Sequence, residues 1–220
     1  MRRETPPSER EAAETIGPLP VPLAMAAAPF AAVGLGLYVL RDAWAAILLY
    51  HVQIAFWGFA VPRRPADLRA GCAPRWLLAA GIASGLTALL LLLLLDTVLR
   101  NDVRLDAWLV RYGLDGASLS WFVPYYGVVH PVLEELHWDP LRRDRKFRPV
   151  AHVAFAGYHG LVLVLLLDSV WVLVSLAVLA GASITWARLR ERLGGLCVPL
   201  VSHGIADAAL MGVVAWIATR

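Results

Sequence analysis

Seven stretches of this chain are apolar for about 17 to 25 residues, the length that crosses a hydrocarbon core as helix. They fall at 21–40, 43–61, 76–99, 118–138, 150–167, 169–187 and 196–218. In lipid no water bonds the backbone, so each stretch must satisfy its own N–H and C=O groups as helix. The expected fold is therefore an all-α, polytopic transmembrane helical bundle of about seven spans. A 59% hydrophobic content over 220 residues exceeds what one soluble core needs. The boundary between the fifth and sixth spans rests on Asp168 and Ser169 alone, which divide a run too long for one span.

Charge orders these spans. Of the 20 Lys and Arg residues, fifteen lie in the N-terminal tail and the connections at 62–75, 139–149 and 188–195. The opposite set is Arg41, Arg100, Arg104, Arg111 and Arg220. The positive-inside rule then places the N-terminus in the cytoplasm and the C-terminus outside, which requires an odd number of spans. Residues 1–20 are polar and rich in Pro and Glu, without the order of a signal peptide, and read as a disordered cytoplasmic tail. Residues 21–220 read as a single membrane domain with no inverted repeat of the transporter kind. Cys72 and Cys197 are the two cysteines, one in a cytoplasmic loop and one opening the last span, and they imply no disulfide framework.

Several polar and aromatic groups have ordinary readings. Leu105, Trp108, Leu109 and Tyr112 recur at spacings of three and four, as in a short interfacial helix or a capped loop packed on the bundle. Trp44, Trp57, Trp76, Trp121, Trp138, Trp171 and Trp216 stand near span ends and read as an aromatic belt. His51 and Gln53 read as interhelical contacts, and Leu89 to Leu95 as lipid-facing surface. The cluster of Arg142, Arg143, Arg145, Lys146 and Arg148 fixes topology and suits anionic lipid head groups.

Three segments do not reduce to this. Glu134 and Glu135 close the fourth span, Phe155 and His159 lie four apart in the fifth, and His203 and Asp207 lie four apart in the seventh. Residues four apart share a helix face, so three helices can converge on one polar pocket. Ionisable groups at membrane depth cost from about 2.5 to well over 10 kcal/mol and persist mainly where they face a bundle interior. Gly157, Gly160, Gly204, Ala206 and Ala208 would let the backbones approach closely. A desolvated glutamate beside a second carboxylate can act as a general base, and histidines can relay the proton or donate toward an oxyanion. Such a pocket contains the parts for hydrolysis. His130 and His137 flank Glu134 on one face, as further ligands or as a cap on the cavity mouth. The structural alternative is a set of buried polar groups that satisfy one another as interhelical glue.

These motifs, in this order on successive late spans, resemble the CPBP intramembrane proteases, which include the CAAX prenyl endopeptidases, bacterial Abi-type proteins and myxosortase-like members. The resemblance covers about residues 118–218. It implies Glu134 as the base that activates water with help from His159, and His203 with Asp207 on the oxyanion side. Where the family has Arg four residues after the second Glu, this chain has Asp139, with Arg142 and Arg143 farther on. Either a displaced arginine pairs with Glu135 or the pocket is reorganised. An ionised Asp207 cannot donate a hydrogen bond, so it is expected protonated or orienting His203. The family implies a glutamate-type mechanism without metal. Zinc on His159, His203 and Glu134 is the alternative, although the chain has no His-Glu-x-x-His helix.

The expected function is an endopeptidase that hydrolyses a peptide bond in a membrane-embedded or membrane-tethered protein or peptide, at a bacterial inner membrane, with no nucleic-acid partner. The competing readings are a non-catalytic scaffold or bacteriocin-immunity protein and a small proton-relaying transporter.

Overall fold

The computed structural model describes residues 20–61 and 68–218. The tail expected at 1–20 lies outside the described residues except for Pro20, as do Arg63 and Arg64. The long elements are α1 (Pro20–Gly34, continuing as a π-helical turn over Leu35–Leu40), α2 (Ala43–Ala60) and α3 (Pro74–Val98). Then follow α4 (Leu105–Arg111), α5 (Gly116–Arg143), α6 (Arg148–Leu166), α7 (Ser169–Leu193) and α8 (Cys197–Ala218). The described residues form no named strand, only one isolated bridge between Leu99 and Leu167.

Six helices are long and apolar enough to cross a membrane: α1 with its π turn, α2, α3, α6, α7 and α8. The seventh expected span, α5, is excluded from that set by its polar residues rather than its length. At 28 residues it extends about 42 Å at 1.5 Å per residue, more than the roughly 30 Å of a hydrocarbon core. Its first turn meets the start of α2, where Trp44 Nε1 donates to Ser118 Oγ at 3.0 Å. Its last turn carries Arg142 and Arg143.

The bundle is apolar outside and partly charged inside, the reverse of a soluble protein. Phe59 is 92% exposed and Leu93 72%, whereas Glu134, Glu135, Asp139 and Arg142 are buried. Water would not tolerate so many exposed Leu, Val and Phe side chains, and lipid does.

Two faces close the bundle. On one, Arg100 N–H donates to Leu166 C=O at 3.0 Å and Asp168 N–H to Val98 C=O at 3.2 Å, which ties the α6–α7 turn to the end of α3. That turn falls at Asp168, dividing the long apolar run as its sequence indicates. Helix α4 joins this face as a helix docked on the core, with Leu105, Leu109 and Tyr112 buried. Ala43 N–H donates to the Tyr112 carbonyl at 2.9 Å, and the Asp42 side chain caps α2 through Ala45 N–H at 2.7 Å.

On the opposite face the three basic connections come together. Asp139 binds Arg190 at 2.8 Å, and Arg148 pairs with Glu191. The expectation that the cysteines form no disulfide is corrected here: Cys72 and Cys197 are bonded across 125 residues. No local pattern signals this bond, because the proximity of the two cysteines depends on a tertiary clasp. Cys197 N–H donates to Ala70 C=O at 3.2 Å, and a Cβ on Gly195 would lie 2.1 Å from that same oxygen. Only glycine fits so close to a backbone.

Helix α5 carries Pro124, Pro131 and Pro140, each of which removes a helical hydrogen bond. Pro131 frees the carbonyl of Gly127, which faces Gly204 of α8. At Gly127 an added Cβ would stand 2.9 Å from Ala208 Cβ. Small residues therefore let α5 and α8 approach most closely one to two turns from Glu134 and His203, and this approach positions the polar cluster.

Candidate functional site

The polar cluster is built from α5, with α2, α6 and α8 around it. Glu134 and Glu135 have no exposed surface. Glu134 Oε1 accepts hydrogen bonds from Tyr50 OH of α2, at 3.0 Å, and from Tyr158 OH of α6. Glu134 Oε2 lies 3.2 Å from both His130 Nε2 and His203 Nε2. Four side chains from four helices thus surround one carboxylate.

His203 bridges the glutamates. Its Nε2 faces Glu134, and its Nδ1 stands 3.1 Å from Glu135 Oε1. A ring carrying both N–H protons pairs with both carboxylates, through a hydrogen bond to Glu135 and at ion-pair distance from Glu134. Glu135 Oε2 then accepts from Arg142 Nη1 at 2.8 Å. Two carboxylates, one imidazolium and one guanidinium make a neutral group, which lowers the otherwise large cost of burying four charges. The Arg142 guanidinium also lies 5.0 Å from the Phe155 ring centroid, and Trp186 stacks on His203 at 4.3 Å.

Of the two arrangements that Asp139 left open, the structure contains the first: Arg142, farther along α5, pairs with Glu135. Asp139 does not face Glu135 as an unmatched charge. It is held by Arg143 at 3.2 Å and Arg190 at 2.8 Å, and so fastens α5 to α7.

His159 is half-buried and touches the glutamates only indirectly. Its Nδ1–H donates to the Phe155 carbonyl at 2.7 Å, and its Nε2 is 3.2 Å from Tyr158 OH. Tyr158 has one proton, given to Glu134, so neutral His159 keeps its Nε2 lone pair available to a water. Asp207 Oδ2 stands 3.6 Å from His203 Nε2, on the side where it can orient that ring. All five proposed site residues, Glu134, Glu135, His159, His203 and Asp207, therefore lie in one cluster.

The zinc alternative fits these residues poorly. His203 presents both nitrogens to carboxylates, and His159 is turned to a carbonyl and a hydroxyl. Among the described residues no group of three or more His, Cys, Asp or Glu side chains is arranged to hold a metal.

The sequence reading missed other members. Trp138 is wholly buried rather than part of the aromatic belt, and its Nε1 donates to Tyr50 OH at 3.0 Å, completing a chain from Trp138 through Tyr50 to Glu134. Tyr50 and Tyr158 carry no spacing signal that separates them from lipid-facing aromatics. His137 turns away from Glu134, with Nε2 donating to the Met25 carbonyl of α1 at 3.1 Å. His51 makes the expected interhelical contacts, to Tyr125 OH at 2.7 Å and His130 at 3.1 Å, whereas Gln53, expected to do the same, has both side-chain polar atoms buried without a hydrogen bond.

A carboxylate fixed between hydroxyls and imidazoles, with a second carboxylate neutralised by arginine, can accept and return a proton in a site shielded from bulk water. Comparison of the chain with protein families, with characterised proteins and with solved structures returns no match. What stands is a transmembrane helical bundle with a buried Glu-His-Glu-Arg cluster at the meeting point of α5, α6 and α8.

Proposed function

We propose that the chain is an intramembrane endopeptidase of the CPBP type, cleaving a membrane-embedded or membrane-tethered protein or peptide. The observation that carries this reading is the position of Glu134 against His203, with His159 one hydroxyl away through Tyr158.

Water that enters from the half-buried His159 side meets the Nε2 lone pair. It gives a proton toward Glu134 as its oxygen attacks the scissile carbonyl carbon. Once Glu134 is protonated it releases the His203 Nε2–H, which, with the ring oriented by Asp207, donates toward the oxyanion, and Glu134 then returns the proton to the leaving amine. Peptide and water together yield a carboxylic acid and an amine, with no redox change. The step requires Tyr158 to move aside when substrate binds, because Glu134 is closed in this state. This mechanism is of the glutamate type and assigns no metal.

The charge bias supports a cytoplasmic N-terminus and the composition of the loops a bacterial inner membrane, whereas the Cys72–Cys197 bond on that same basic face runs against a reducing cytoplasm. The basic face would then meet anionic head groups.

A second reading, a non-catalytic scaffold or immunity protein, is favoured by one observation: both glutamates have 0% exposure and their charges are balanced internally. Substitution separates the two. Glu134→Ala and His159→Ala each abolish cleavage while the protein still inserts; full processing by both variants would remove the protease reading.

A further inference from the structure

The Cys72–Cys197 bond lies on the face that the charge bias assigns to a reducing compartment, and its two sulfurs differ in access. Cys72 is exposed, two residues before α3, whereas Cys197 is buried and opens α8. Disulfides that form in a reducing cytosol are chiefly transient or redox-sensing.

This clasp reaches the polar cluster along α8. Beside the sulfurs, Cys197 N–H donates to the Ala70 carbonyl at 3.2 Å. Farther along, Ser84 Oγ of α3 donates to the Ser202 carbonyl of α8 at 3.2 Å. Ser202 immediately precedes His203, and its Oγ accepts from Nε1 of Trp186, the indole that stacks on His203, at 3.3 Å. The bond thus fixes the helix that seats His203 between the two glutamates. The bonded state is also the closed one, with neither glutamate exposed.

We propose that Cys72 and Cys197 form a reversible dithiol–disulfide site, opened by a cytoplasmic Cys-x-x-Cys oxidoreductase, whose disulfide locks α8 with His203 over the glutamates. A thiolate of the reductant attacks the exposed Cys72 sulfur, the S–S bond breaks, and Cys197 leaves as thiolate and takes a proton. Its place at the start of α8 favours that negative charge through the helix dipole. The second thiol of the reductant then attacks the mixed disulfide and releases Cys72 as a thiol. Two electrons and two protons pass to the protein, and the reductant is left as a disulfide. The effect of the lock on turnover rests on the hydrolytic reading, whereas the exchange itself does not.

Three measurements on the full-length protein test it. Cells are quenched in acid and their thiols alkylated with a maleimide-linked polymer that shifts the protein on a gel. Two additions are expected in unstressed cells, none after the thiol oxidant diamide, and two again once the oxidant is removed. A bond that persists in unstressed cells overturns the proposal, as do two free thiols after diamide. In lipid vesicles, dithiothreitol should speed amide exchange at Cys197 and Leu200, whose N–H groups bond to the Ala70 and Leu196 carbonyls, and should change nothing in Cys72→Ser. Unchanged exchange in the wild type overturns the lock. Cleavage is read with, as probe, the membrane protein that accumulates uncleaved when Glu134 is replaced by Gln. Diamide should remove most of the wild-type rate and dithiothreitol restore it, while Cys72→Ser cleaves at one rate under both. A wild-type rate that ignores both reagents overturns the lock. If no protein accumulates in Glu134→Gln, the hydrolytic reading alone fails, and the thiol count and amide exchange still decide the lock.

Discussion

Arg142 donates to Glu135 across 2.8 Å of buried space, seven residues along the same helix. A straight helix carries residues seven apart two turns away, so the contact depends on the long guanidinium arm reaching back along α5. Phe155 and Trp186 flank that arm and hold it there. Arg142→Met should lower stability by about 3–5 kcal/mol, the cost of leaving one buried charge unpaired. Unfolding in detergent checks this, and Glu135→Gln added to Arg142→Met should recover most of the loss.

The same geometry predicts that Asp139→Arg will destabilise the bundle. Asp139 neutralises Arg143 and Arg190, and a third cation there would face two like charges at close range. A loss of at least about 3 kcal/mol is expected in the same assay. Asp139→Asn should fall between this variant and the wild type.

The helix order, the break at Asp168 and the gathering of the polar motifs were legible because they depend on local pattern. Apolar length gives spans, and spacing of four gives shared faces, so Phe155 with His159 and His203 with Asp207 could be placed before any packing was known. Tyr50, Tyr158 and Trp138 were not legible. An aromatic residue in an apolar span has the same local signature whether its polar tip meets lipid or a buried carboxylate. The Cys72–Cys197 bond was hidden for a related reason, since it follows from how α3 and α8 pack.

Close approach of α5 and α8 should be limiting for the site. Gly127→Ala places a Cβ 2.9 Å from that of Ala208 and should cost about 1–3 kcal/mol of overpacking. Ala208→Gly, introduced second, should restore stability and any activity together. Thermal unfolding of the two single variants and the double variant measures the recovery.

The clasp at Cys72 and Cys197 makes a separate prediction. Protein purified without reductant should show no free thiol to alkylation, and Cys72→Ser should destabilise it by about 2–5 kcal/mol. Mass spectrometry after alkylation reads the first, and thermal unfolding the second. Gly195→Ala should destabilise through the same contact, because its Cβ has no room beside the Ala70 carbonyl.

Tyr158→Phe removes one of the two hydroxyls that bond Glu134 and the bridge to His159. Tyr50 still donates to Glu134 Oε1, and Tyr158 has to move aside for the step, so removing its hydroxyl should cost about 0.5–1.5 kcal/mol of stability while cleavage is unchanged or faster and insertion is retained. A time course of precursor processing in membranes gives the rate.

Comparing the membrane and secreted proteomes of a deletion strain with those of a Glu134→Gln strain tests the proposed catalysis most directly. The account predicts that the same unprocessed protein accumulates in both, with the Glu134→Gln protein present in the membrane at wild-type levels. Normal processing in the Glu134→Gln strain, beside a processing defect in the deletion strain, would contradict it.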